Sequence, residues 1–520
     1  MKLLSFAIAV FAGLLSVSAG EPQQTVLRAT GRLQKRVAIV GGGAAGTSAA
    51  FWLRNAFPKE EQLSITLYEK NDYLGGRSTV VPIKGNASVG FMELGASIYV
   101  PKNYNLMNAT ERFGLKRKRL AEESWNGRGL GIWDGNSFLF EESGNSYWDT
   151  VKILWRYGYD PIRFRNLLQE IIEQFARNVY HGDDVVSSFR DIPASLKQYA
   201  LDMFTDKTSA NYFEGEHKLS QRFVRELIQS STRGNYGQDV EDLHAFGGLV
   251  SMAAAGAWST EGGNFRIFEE FAKRSGANIH LNTRVLSIRN STEIDDQRNA
   301  VGRYLLATDK DENQVFDAVI IATPLHSSDI DLPFQTAADA FREYHVVHVT
   351  LIAGVLNPGY FGRTAETMPQ MIISTGKPLT QYFPDSKQPF TTFAVHKQLE
   401  NGESVVKIFS HESMPEEELD RLFHNRSWTY RKAWEAFPKL YPVQGHTWPS
   451  VVLHGFDDET DDTSYIQSGI LYVNAFESVI STMETETVAS KNAVRILREQ
   501  WCKYNPSMPC AAFGEGWGEH

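Results

Sequence analysis

A strand, a glycine turn, a helix and a second strand follow one another early in the chain; a long helical stretch interrupts them, and strands then return. Together they predict a mixed α/β and α+β protein, with a Rossmann-like dinucleotide-binding domain joined to a second, substrate-binding domain of mixed sheet plus helices. The 520 residues suffice for two cooperating domains with a large core, and 42% apolar with 22% charged side chains is an ordinary globular composition. The 62 acidic and 52 basic residues leave a net charge of −10. That charge repels a phosphate backbone, so no nucleic-acid partner is expected.

The first residues are composed differently from the rest. Lys2 supplies a positive start, Leu3 to Leu15 an apolar core, and Val17-Ser18-Ala19 a small-residue cleavage site. The apolar core is shorter than the ~20 residues that a bilayer span needs, so 1–19 is expected to be a signal peptide. No later segment is expected to span a membrane. Behind such a peptide, the sequons at Asn86, Asn108, Asn290 and Asn425 become candidate glycan sites. The end, Gly518-Glu519-His520, is no retention signal of the KDEL type. Cys502 and Cys510 are the only cysteines and could close one small loop, leaving the bulk of the fold without disulfides. A zinc site or a cysteine nucleophile is not expected.

Arg36–Val40 is a short apolar run entering Gly41-Gly42-Gly43-Ala44-Ala45-Gly46, after which Thr47 to Phe57 reads as a helix stopped by Pro58. Leu63, Ile65 and Leu67 then alternate with polar positions up to Glu69, completing a βαβ unit. Phe164, Leu167, Leu168, Ile171, Ile172 and Phe175 share one helical face. Phe223, Val224, Leu227 and Ile228 repeat the pattern, so 150–235 reads as mainly helical. After Trp258 come a helix at Phe265–Ser275 and strands at Asn278–Leu281, Val285–Ile288, Tyr304–Ala307 and Ala318–Ala322. Val346–Leu356 is a strand rich in β-branched residues. Ile470–Ala475 reads as a further strand and Met483–Leu497 as an amphipathic helix. The first domain is therefore discontinuous, with 36–150, 235–330 and 465–500 as its pieces. The second takes 151–234 and 331–464, and 501–520 forms a tail. The acidic run 457–462 reads as a solvated loop.

The glycine turn has the context that a dinucleotide site demands. Gly41 permits the tight turn, Gly43 lets the backbone approach a pyrophosphate, and Gly46 lets helix and strand pack closely. The helix start at Ala44 and Ala45 offers free N–H groups and the positive end of the helix dipole. Glu69 lies 23 residues past Gly46, where it can accept hydrogen bonds from ribose hydroxyls and repel a 2′-phosphate. Beyond it stands Glu69-Lys70-Asn71-Asp72-Tyr73-Leu74-Gly75-Gly76-Arg77. This second glycine pair followed by Arg resembles the pattern of the amine-oxidase and desaturase-like flavoproteins, where it lies along an FAD. The resemblance implies Lys70, Gly76 and Arg77 as FAD neighbours, and Arg77 suits a pyrophosphate through charge-assisted hydrogen bonds. It likewise implies Gly95, Ala96 and Ser97 near the isoalloxazine, Val285 near the adenine, and Thr323 at a strand end beside the cofactor.

Trp155-Arg156-Tyr157-Gly158-Tyr159, Asn235-Tyr236-Gly237-Gln238, Trp258 with Glu261-Gly262-Gly263-Asn264, and Ser481-Thr482-Met483-Glu484 running to Asn492-Ala493 narrow this further. They resemble the prenylcysteine oxidase (prenylcysteine lyase) family over residues 36–500, which adds Met483 to the expected cofactor contacts. The resemblance implies an FAD-dependent thioether oxidase that splits prenylated cysteine into cysteine and a prenyl aldehyde and reduces O₂ to H₂O₂. Implied with it are a hydrophobic thioether substrate, possible peripheral membrane contact, and a lysosomal, vacuolar or extracellular location. One position departs from the family's pattern: Val100 precedes Pro101 where a His is expected. Another flavin oxidase acting on an amine or a different thioether therefore stays open, as does a secreted FAD-binding protein without turnover.

In such chemistry the cofactor carries the hard step, and no acid–base pair stands out. The faces at 164–175 and 223–228 could line a prenyl slot, although such stripes usually serve as core. Tyr236, His244 and Trp258 could face a flavin or simply pack. No catalytic residue is named from sequence. His345 and His348 point to opposite faces of their strand, which argues against a shared metal.

Overall fold

The structure, a computed structural model, describes residues 26–28, 34–57, 62–119, 128–180, 188–254, 256–294, 300–311, 313–334, 342–376, 388–443, 448–456, 463–504, 513–514 and 516–518. The expected signal peptide, the acidic run 457–462 and Cys510 lie outside the described residues.

Lys35–Val40 is apolar on both faces because it is buried on both: Val37, Ala38 and Ile39 are inaccessible to solvent. It lies within a six-stranded sheet in the order Asn278–His280, Leu63–Tyr68, Lys35–Val40, Ala318–Ile321, Gly469–Tyr472, Val452–Gly455. The first five strands are parallel and the last antiparallel. The helix Ala44–Ala56 packs against the sheet and against the helices Phe265–Ser275 and Met483–Tyr504. A smaller sheet of Val26–Arg28, Val285–Ile294, Ala300–Thr308 and Gln314–Phe316 stands beside it.

The second half is a mixed seven-stranded sheet. Its order is Phe423–Pro438, Tyr344–Leu356, Ser404–Ser410, Thr392–Gln398, Met371–Ser374, Leu130–Trp133, Phe138–Glu141. Helices at Ser146–Tyr157, Asp160–Val179, Ile192–Gln198, Gln229–Tyr236 and Ala245–Met252, with two π-type turns among them, fill the expected helical region and extend it.

Several elements differ from expectation. Leu130–Trp133 and Phe138–Glu141, expected in the first domain, join the second sheet, where Leu130–Trp133 pairs in parallel with Met371–Ser374. Val452–Gly455, expected in the second domain, closes the edge of the nucleotide sheet. The strand expected over Ile470–Ala475 ends at Tyr472, where its partner Ala318–Ile321 also ends; Val473–Ser478 is a tight turn instead. Met483–Tyr504 is not a surface helix with one apolar stripe. From Glu484 to Leu497 it is buried on every side, because other helices wrap it and its Glu484 is hydrogen-bonded, accepting the N–H groups of Asn105 and Leu106 at 2.8 and 3.0 Å. Cys502, near its end, is disulfide-bonded.

Candidate functional site

The first glycine turn is built by exclusion. Gly41 sits at φ +109°, and a Cβ there would lie 2.5 Å from the Ala322 carbonyl oxygen. A Cβ on Gly46 would stand 1.8 Å from the Gly41 carbonyl oxygen, so this glycine serves helix–strand packing, as expected. Gly43 differs, since nothing lies nearer than 3.8 Å to its added Cβ. It borders open space. The second pair meets it there: Gly75 donates its N–H to the Gly42 carbonyl at 2.9 Å, and a Cβ on Gly76 would be 3.1 Å from Gly43 Cα.

Glu69 locks this cradle. Its Oε2 accepts the Gly42 N–H at 2.7 Å, and its Oε1 accepts the Asn71 backbone N–H at 2.8 Å and the Asn71 side-chain amide at 2.6 Å. Oε2 keeps a lone pair for a ligand hydroxyl. The Glu69 carbonyl accepts the Thr283 N–H at 2.8 Å, which brings the loop before Val285 to the same corner.

Gly41, Gly43, Glu69, Asn71, Gly75, Gly76 and Thr283 face one cavity of about 1920 Å³. Of the expected cofactor contacts, Gly41, Gly43, Ala44, Ala45, Glu69, Lys70, Gly76, Arg77, Gly95, Ala96, Ser97, Val285, Thr323 and Met483 line it, and Gly46 supports it from behind. The cavity is about twice the upper end of ordinary ligand pockets at ~1,000 Å³, which leaves room for a dinucleotide and a second molecule. Among the described residues, several buried polar atoms on its wall have no hydrogen-bond partner: Ser78 Oγ, His396 Nε2 and Asn474 Oδ1. Such atoms fit a polar cofactor that supplies the missing bonds.

Arg77 lines the cavity with its charge already engaged. It pairs with the buried carboxylate of Glu477 and donates to the Ala436 carbonyl at 2.7 Å. Tyr344 and Ser481 also donate to Glu477. Burial and the neighbouring Glu477 push Glu486 well above the usual carboxylate range, so it stands protonated.

The seven-stranded sheet contributes a group that sequence reasoning missed. Lys407 lies among apolar residues in Ser404–Ser410 and is buried against the cavity. Its Nζ donates to Ser97 Oγ at 2.7 Å and to the Glu93 carbonyl at 3.1 Å. Burial pulls its ammonium down to about 8, and burial likewise pushes Glu93 up to about 7. His396, one strand away, is held neutral by burial, down to about 3. The only signal in the sequence was a lone lysine in Val-Val-Lys-Ile-Phe. Beside this group, Ala96 takes φ +45° and its carbonyl accepts the Asn264 amide at 2.8 Å, which aims Ser97 at Lys407.

Other candidates sort themselves. Tyr236, Trp258 and His345 line the cavity, whereas His244 is fully buried elsewhere and caps a helix by accepting the Gly247 N–H on Nδ1. The faces at 164–175 and 223–228 are core, with Phe164 ring-packed on Phe213 and Phe223. Val100 lies outside the lining, although its neighbours Ile98 and Pro101 contribute to it. Among the described residues no cluster of His, Cys, Asp or Glu could hold a metal.

This architecture has known counterparts. A cyclohexylamine oxidase from Brevibacterium oxydans superposes with a TM-score of 0.56 at 14% identity, covering 90% of this chain and 99% of that one, and so shares the fold. A Rossmann-like NAD(P)-binding family model matches residues 39–113. The chain is 30% identical to a farnesylcysteine lyase of Arabidopsis thaliana over 479 residues, 89% of this chain and 87% of that protein. It is 28% identical to prenylcysteine oxidase 1 of Homo sapiens, over 94% and 93% of the two chains. The prenylcysteine lyase family model matches residues 140–508, which takes in the helical region, five of the seven strands of the second sheet and the closing helix, and the chain belongs to that family, as a flavin-dependent oxidoreductase.

Proposed function

We propose that the protein is an FAD-dependent oxidase that cleaves the thioether of a prenylated cysteine. The carrying observation is that one cavity joins the glycine cradle to a wall from the second domain that includes Ile153, Met252, Met371 and Ile373. A dinucleotide at the cradle and an apolar chain along that wall would share the space around Ser97 and Lys407.

The balanced reaction is thioether plus water plus O₂ giving thiol, aldehyde and H₂O₂. FAD held at the cradle would supply the hydride acceptor for the carbon next to sulfur and the electron path to O₂. The protein's residues do the rest. Gly43 and the first turn of Ala44–Ala56 hold the pyrophosphate, and Glu69 takes the ribose. The apolar wall positions the carbon and limits water. Addition of one water to the sulfur-stabilised cation releases a proton, and the C–S bond then breaks as the hemithioacetal collapses. Neutral Lys407 Nζ is the group placed to take that proton.

A location in the secretory pathway, lysosomal, vacuolar or extracellular, is proposed with it. The composition of 1–19 supports this, as does the disulfide at Cys502. Asn86 and Asn425 are exposed, as glycan acceptors must be; Thr110, the hydroxyl residue of the Asn108 sequon, is fully buried.

The test is a peroxide and aldehyde assay of the purified protein with S-farnesylcysteine, an amine panel and a buffer blank. Stoichiometric aldehyde and peroxide from the thioether alone support the reading. Turnover of simple amines with none of the thioether overturns it.

A further inference from the structure

The helix Ser146–Tyr157 has two faces with different uses. At ~100° per residue, Tyr147, Trp148, Val151 and Trp155 fall within about one quarter of its circumference. Ser146, Asp149, Thr150 and Ile153, which line the cavity, fall on the opposite side. The first set points outward: Tyr147 is 69% exposed, Trp148 57% and Trp155 87%, with Tyr159 just beyond at 67%. Soluble surfaces rarely gather four aromatic rings in this way.

The chemistry of this face selects its occupant. Tryptophan and tyrosine, apolar in body and polar at one edge, favour the headgroup level of a bilayer. The nearby cations are spent inside the protein. Arg156 is paired with Glu226 at 2.5 and 2.9 Å, and Lys152 with Asp149 at 2.9 Å and the Glu141 carbonyl at 2.7 Å. With a net charge of −10 as well, the face has no electrostatic call on an anionic surface. Its exposed aromatic area is roughly 600 Å², short of the ~800 Å² per partner that a stable dimer buries.

We propose that this helix docks on the headgroup layer of a zwitterionic bilayer, with its aromatic face inserted and its inner face forming the wall through which an apolar substrate reaches the cavity. The substrate-delivery part rests on the thioether reading; the docking does not. The pattern is that of an interfacial helix, which lies in the plane of the membrane without crossing it. Among the described residues no helix is long and apolar enough to cross.

The experiment is flotation of the full-length protein with phosphatidylcholine vesicles in the absence of substrate, alongside the double variant Trp148→Ser/Trp155→Ser. Flavin content and Tm report that the variant is folded. The expected result is wild-type protein in the vesicle fraction, a blue shift of its tryptophan emission there, and at least a tenfold lower partition for the variant. Wild-type protein that stays in the aqueous fraction overturns the docking, as does a folded variant that floats equally well. Dimers that the variant disrupts, without flotation, would assign the face to a second copy instead. Flotation lost in the variant while no thioether is ever oxidised would keep the docking and remove the substrate reading.

Discussion

Gly43 and Gly46 stand three residues apart in one motif, and the structure separates their consequences. An added Cβ at Gly43 meets no atom within 3.8 Å, so Gly43→Val should fold. Its branched side chain occupies the space into which the phosphate must come. Excluding the phosphate from the first-turn amides removes about two charge-assisted hydrogen bonds at ~1.5–3 kcal/mol each, so at least about 3 kcal/mol is lost. At ~1.4 kcal/mol per decade that is a Kd for FAD weaker by roughly a hundredfold or more. Gly46→Ala acts on the fold instead. Its methyl would sit 1.8 Å from the Gly41 carbonyl oxygen and 3.1 Å from Ile39 Cγ2, so helix or strand must shift by more than an ångström. Overpacking of that kind costs ~1–3 kcal/mol or more. Flavin absorbance per mole of purified protein and the Tm of the apoprotein, measured for both variants, separate the two effects. A folded Gly43→Val protein with full flavin content would refute the phosphate assignment, and Gly46→Ala with an unchanged Tm would refute the packing argument.

Further outcomes are expected. Glu69→Ala frees the Gly42 and Asn71 N–H groups and should weaken FAD by about tenfold, milder than Gly43→Val, as read by flavin titration of the apoprotein. Lys407 must be neutral to take a proton, so kcat should rise with pH through about 8, and Lys407→Met should lower kcat and flatten that limb; a variant with the wild-type profile would remove Lys407 from the reaction. Because its folded value lies below the usual 10.5, the unfolded chain binds the extra proton between about 8 and 10.5, and this group's contribution to stability rises with pH across that window. The cofactor should be non-covalent, so acid precipitation should leave yellow colour in the supernatant; colour kept in the pellet would show a tether. Along S-farnesyl-, S-geranyl- and S-methylcysteine, kcat/KM should fall steeply, since each buried CH₂ contributes ~0.8 kcal/mol, and equal rates would deny an apolar slot.

The cradle was legible because its constraints are local. Gly46 is required by contacts with Gly41 and Ile39, both within ten residues, Gly41 by its positive φ in the turn, and an acid at the next strand end follows from the βαβ geometry. Phe265–Ser275 was legible for the same reason, as a strongly periodic segment with a glycine stop. What depends on distant pairing was hidden. Arg77 reads as a phosphate ligand until Glu477, four hundred residues on, is found to hold it. Lys407 is a lone lysine in an apolar run, and nothing local says that Ser404–Ser410 passes beneath Ser97. The hydrophobic stripe at 164–175 has the period of a helix face, but period alone cannot distinguish a face against core from a face against a cavity. Burial of Glu484–Leu497 on every side was likewise invisible, since Glu484, Glu486 and Lys491 look solvated until their surroundings are known.

The strand order of the nucleotide sheet sets a timetable for biosynthesis. Lys35–Val40 and Leu63–Tyr68 leave the ribosome early, yet Gly469–Tyr472 is an inner strand of the same sheet, between Ala318–Ile321 and the edge strand, and the closing helix packs on Ala44–Ala56. At ~5–20 residues per second, about 20 to 80 s separate the first strand pair from its completion. Lys35–Val40 gains its second neighbour when Ala318–Ile321 is made, and Ala318–Ile321 in turn waits for Gly469–Tyr472. Nascent chains stalled before residue 469 should therefore carry no flavin.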